Sequence, residues 1–136
     1  MQAQGYHCED EIWCVDGEGR NKRVDILAFE PNTDKAFVID PTIRYETNAD
    51  MDAVVQREKN EIYASCAPDL AEKYKNFGHR EFEVIGLWFG ARGTVSTGVI
   101  NFFERFGLDK KVLPEFTETI LSDSVRMLHH HIYATN

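Results

Sequence analysis

At 136 residues, with 43% hydrophobic and 28% charged side chains, the chain has the size and make-up of one ordinary globular domain around a single core. No apolar run nears the roughly 20 residues that a bilayer span needs, and no charged-then-apolar leader follows Met1, so we expect an intracellular protein with no membrane partner. The net charge of −8 argues against a domain that binds nucleic acid unaided, since such affinity rests on phosphate neutralisation; an acidic domain can still act on DNA when another module delivers it.

In chain order, residues 1–4 read as the end of a helix with Gly5 just past it. Residues 11–15 read as a short strand, closed by Asp16-Gly17-Glu18-Gly19. Two longer strands follow at 23–30 and 35–45, separated by the turn formers Pro31-Asn32-Thr33-Asp34, which is a hairpin signal. From about 50 to 74 the pattern is helical, with Val55, Ile62, Cys66 and Leu70 near helical spacing and Pro68 marking a break or the first turn of a second helix. Residues 82–90 read as a buried strand ending at Gly90-Ala91-Arg92-Gly93. Two further helices are expected at 96–106 and 114–133, with Leu108 and Val112 in the link and Phe102, Phe103 and Phe106 in the core. His129-His130-His131 cannot converge on one metal if helical, because neighbours point about 100° apart. Three cysteines, Cys8, Cys14 and Cys66, lack a CxxC spacing and read as reduced, buried thiols. The order of elements fits an α/β sandwich over residues 1–136, a small mixed sheet with an antiparallel hairpin flanked by helices.

The hairpin carries the chemistry. With Asn32 and Thr33 as the loop residues, cross-strand partners have numbers that sum to about 65, so Glu30 faces Lys35 and Asp25 faces Asp40. Directly opposed residues share a face with Cβ atoms about 4.5–5.5 Å apart. Two carboxylates so placed can reach one divalent cation at about 2.0–2.6 Å, and the ion would relieve their repulsion. On the following helix, Asp52, Gln56, Lys59 and Tyr63 fall at spacings of four, three and four, which makes one polar stripe.

At these residues the sequence resembles the PD-(D/E)XK nuclease superfamily, and more closely the restriction-like endonuclease domain of site-specific non-LTR retrotransposons. Arg23-Val24-Asp25 stands for the first half of the pattern, with Val24 where proline is usual. Asp40-Pro41-Thr42 stands for the second, with Thr42 where lysine is usual. In the retrotransposon branch the following helix supplies that lysine, ahead of a tyrosine, and Lys59 and Tyr63 match those places. The resemblance also takes in residues 39–46 and 85–93, and it covers nearly the whole chain. It implies a restriction-endonuclease-like fold and a Mg²⁺-dependent (or Mn²⁺-dependent) endodeoxyribonuclease. Asp25 and Asp40, with a carbonyl of Pro41 or Thr42, would hold the metal; Lys59 would orient water or stabilise the transition state, and Tyr63 would join them as a catalytic residue. Arg44, Gln56 and Arg92 would contact DNA. A further carboxylate from Glu9 or Glu11 could stand in for one that such nucleases draw from their first helix. The resemblance further implies a nuclear protein and a polyprotein setting, with a reverse transcriptase and DNA-binding modules as partners. Two other readings stay open: a nuclease fold that has lost its chemistry and serves as an interaction module, and an unrelated small α/β binding domain.

Overall fold

In the computed structural model, the residues described are 1–45, 50–91, 93–112 and 132. A single 3₁₀ turn, Gln2–Gln4, ends at Gly5 with φ 89. Strands β1 (His7–Val15), β2 (Asn21–Phe29) and β3 (Lys35–Arg44) lead into helix α1 (Met51–Tyr63). A 3₁₀ turn (Ala64–Cys66) joins α1 to α2 (Ala67–Lys73), with Pro68 in the first turn, where its missing N–H costs nothing. Strand β4 (Glu81–Gly90) and helix α3 (Thr97–Arg105) follow, with 3₁₀ turns at Lys75–Phe77 and Lys110–Val112, α3 being capped by Ser96, whose hydroxyl accepts from the Val99 amide at 3.2 Å. The expected helix at 114–133 lies outside the described residues except for Ile132, which is fully buried. Arg92 and the three consecutive histidines also lie outside them. No described helix is long and apolar enough to cross a membrane.

The sheet is four-stranded and mixed, in the order β1-β2-β3-β4, antiparallel through β3 and parallel between β3 and β4. That parallel step needs a crossover, and α1 with α2 provides it. The order of strands, hairpin, helix, strand and helix is the α/β arrangement read from the sequence. The first strand begins earlier than expected, at His7 rather than residue 11. Glu9 and Asp10 hid its start, because on the edge strand only Cys8 and Cys14 are buried and apolar alternation is weak.

Each face of the sheet has its own core. Ile26, Ala28, Phe37, Ile39, Leu87 and Phe89 pack under Val99, Phe102 and Phe103 of α3, as expected for the phenylalanine cluster. Leu27, Phe29, Ala36, Val38 and Val84 pack on the opposite face, under Tyr63, Cys66 and Leu70. Burial on both faces explains why β2 and β3 read as almost continuous apolar runs.

The hairpin register is the one expected, with Ile26 opposite Ile39 and Phe29 opposite Ala36. Asn32 turns the chain at φ 63, a conformation asparagine tolerates. Pairing between β2 and β3 then stops at Ile26 and Ile39. Beyond that point β2 stays with β1 as far as Asn21 opposite Val15, while β3 stays with β4 as far as Arg44 opposite Gly90. The sheet therefore forks. One prong is the β1–β2 ribbon, the other the ends of β3 and β4, and Asp25 and Asp40 stand at the crotch.

A break in strand alternation marks the same place. Val24 and Leu27, three apart, pack in one core, and so do Ile12 and Cys14, whereas Cys8 packs in the other. Between them Glu11 takes φ 50, and the Glu11–Asp25 step is missing from an otherwise continuous β1–β2 ladder. The left-handed backbone of Glu11, unusual for a residue other than glycine, thus coincides with the break in the ladder.

Candidate active site

The polar stripe of α1 crosses the sheet diagonally, one residue to each station. Asp52 accepts from the Trp88 indole at 2.6 Å on β4. Gln56 accepts from the Gly86 amide at 2.8 Å and donates to the Val84 carbonyl at 2.6 Å. Lys59 reaches over β4 to Asp40 of β3, with Nζ 3.2 Å from Oδ2. Tyr63 continues to β2, where its hydroxyl donates to the Arg23 carbonyl at 3.0 Å.

Gly86 makes the third of these contacts possible. It stands beside Asp40 in the β3–β4 register, and the stem of Lys59 lies across it. A Cβ there would come within 2.8 Å of Lys59 Cγ and 3.1 Å of the Val55 carbonyl. A glycine inside an apolar strand is a readable sign of close approach, and sequence reasoning passed over it.

The crotch brings both expected carboxyls together, close enough for a hydrogen bond between them. Asp40 is 8% exposed and Asp25 33%, so the pair sits at a surface with one member sunk into it. Burial, then the neighbouring Asp40 carboxyl, pushes the Asp25 carboxyl up to about 6. Burial, followed by the negative charge of Asp40, also raises the Tyr63 phenol, which stays protonated and can only donate or accept hydrogen bonds. Arg23 approaches Asp25 from the ribbon side, NH2 to Oδ1 3.8 Å, a contact the sequence did not point to.

The backbone separates Pro41 from Thr42. The Glu30 amide donates to the Lys35 carbonyl, so alternation along β3 turns odd-numbered carbonyls toward β2 and even-numbered ones toward β4. At Pro41 the β2 partner has gone, and its carbonyl points into the fork. As a proline it has no N–H there to leave unpaired. The Thr42 carbonyl is turned toward β4, and its hydroxyl accepts from Arg44 Nε at 3.4 Å. Of the two carbonyls, that of Pro41 faces the fork and that of Thr42 faces β4.

The DNA-contacting expectations divide as well. Arg44 lies on the β3–β4 prong, with its guanidinium held by Glu58 at 2.6 Å. Gln56 spends both ends of its amide on β4 and satisfies a strand edge rather than facing the fork. Glu9 stands opposite Leu27, away from the crotch, and pairs with His7. Glu11 is level with Asp25 but exposed, and no third Asp, Glu, His or Cys among the described residues joins the carboxyls in a metal-holding group.

Two carboxylates and one carbonyl nevertheless fit a hard divalent ion. Mg²⁺ keeps several waters and is commonly bound by one or two carboxylates together with substrate phosphate. A cleft of about 380 Å³, lined by Arg20, Lys22, Glu58, Glu61 and Ile62, lies between the turn end of the ribbon and α1. No family model and no curated protein matches this chain.

Proposed function

We propose that this chain is a metal-dependent DNA endonuclease domain with a restriction-endonuclease-like fold, akin to the target-cleaving domain of site-specific non-LTR retrotransposons. One observation carries the reading: two carboxyls meet where the sheet splits, and a helix-borne ammonium lies 3.2 Å from one of them. Asp25, Asp40 and the Pro41 carbonyl are the oxygens that would hold Mg²⁺ or Mn²⁺. Such an ion supplies a water of lowered pKa and polarises a phosphate. Lys59, tethered to Asp40, is placed to stabilise charge that develops on an attacked phosphate. Tyr63 is a positioning residue that fixes the end of α1 against β2. Arg23 and Arg44, one on each prong, are the cations available to phosphates on either side of the cut. With a net charge of −8, the domain relies on DNA-binding and reverse transcriptase modules of a larger nuclear polyprotein to bring it to its target.

The test is nicking of supercoiled plasmid. Cleavage with Mg²⁺ or Mn²⁺, none in chelator, and loss in Asp25→Ala and Asp40→Ala variants that still melt cooperatively are expected. The acidic balance favours one rival, a nuclease-like fold kept as an interaction module. That rival wins if no divalent ion elicits nicking even when the domain is fused to a DNA-binding module.

A further inference from the structure

Both prongs of the fork carry an exposed aromatic ring beside an arginine. On the ribbon, Trp13 is 60% exposed and stands directly opposite Arg23. Ile12, Cys14 and Val24 are turned into the core, so Trp13 and Arg23 share the uncovered face. Arg23 links that face to the crotch through Asp25. On the other prong Tyr45, 73% exposed, directly follows Arg44 at the end of β3. Among the described residues these two rings are the most exposed large hydrophobic side chains. Packing needs neither of them. Trp88, by contrast, is buried between Met51 and Val55.

We infer that the prongs grip a single DNA strand with unpaired bases, Trp13 and Tyr45 stacking on bases either side of the phosphate at the crotch while Arg23 and Arg44 meet the backbone. This rests on the nuclease reading and deepens it, because it names unpaired DNA as the substrate class. A ring beside a guanidinium suits a base joined to its phosphate, and stacking needs no particular base because every base has a π-face. A paired base would keep its face inside the duplex stack, out of reach of either ring.

Binding of fluorescein-labelled oligothymidylate and of a duplex of equal length, followed by anisotropy at low salt in chelator, reads the contact apart from any cleavage. The single strand should bind more tightly and quench tryptophan fluorescence, since Trp13 is the exposed one of the two tryptophans. Trp13→Ala and Tyr45→Ala should each weaken it by about tenfold or more, while Trp13→Phe retains most of the affinity. Equal binding of duplex and single strand, or unchanged affinity in both alanine variants, overturns the inference. A chain that nicks plasmid yet ignores oligothymidylate sinks this inference alone. One that holds the oligonucleotide through Trp13 and never cuts DNA sinks the nuclease reading instead.

Discussion

Replacing Lys59 by methionine keeps an unbranched stem across Gly86 and deletes only the ammonium. The pair it breaks is 3.2 Å long, with side chains 12% and 8% exposed. At an effective dielectric of about 20, two unit charges at that distance attract by about 5 kcal/mol, and desolvation cancels much of this. What the substitution reads is the cost of a buried carboxylate left beside a second one, about 3 kcal/mol or somewhat more. For a domain of this size 1 kcal/mol moves Tm by about 3 °C, so Lys59→Met should melt roughly 10 °C below the parent at pH 7.5 in chelator. The deficit should shrink as pH falls through about 6, where Asp25 takes up a proton and the doubled negative charge is relieved. Asp40→Asn in the same background should recover much of the loss, and the double-mutant cycle gives the coupling directly. Thermal melts followed by circular dichroism suffice. A loss below about 0.5 kcal/mol, or one independent of pH, would refute the idea that Lys59 neutralises the crotch.

Asp25→Asn tests the same electrostatics from the other side. A carboxyl raised from 3.8 to about 6 contributes stability below pH 4 that is lost as pH rises through 6. The asparagine variant should therefore outlast the parent above pH 6 in chelator, by about 1–2 kcal/mol after allowing for its one-third exposure, and match it near pH 4. Added Mg²⁺ should stabilise the parent and not the variant, which a melt with and without the ion will check. Gly86→Ala should cost about 1–3 kcal/mol in denaturant melts, because the Val55 carbonyl cannot yield as a side chain could, and plasmid nicking should fall further as Lys59 is pushed off Asp40. Gln56→Ala, by contrast, should lower stability by about 1–3 kcal/mol and leave DNA affinity unchanged, since both its hydrogen bonds serve β4.

How much of this could be read beforehand follows from range. The hairpin register was legible because strand periodicity and a short turn are local. Glu30 meets Lys35 through the backbone alone, at 3.0 Å, while the Lys35 ammonium pairs with Glu83 on β4 instead of with Glu30. The α1 stripe was legible as a stripe for the same reason. Where each of its residues lands was not, since that depends on how α1 crosses three strands. Asp52 meets an indole, Gln56 an edge and Lys59 a carboxylate. The fork was invisible, because the left-handed residue at the break is a glutamate, with no glycine to announce it. Choosing between Pro41 and Thr42 required knowing toward which neighbour each carbonyl turns.

The Gln56 amide has a consequence for the protein in company. An open margin of a sheet is a template on which another chain can lay a strand and begin a fibre. At Val84 and Gly86 a side chain already occupies both the donor and the acceptor that an incoming strand would need. The β4 margin thus carries its own stopper against strand addition, built from the helix that also delivers Lys59.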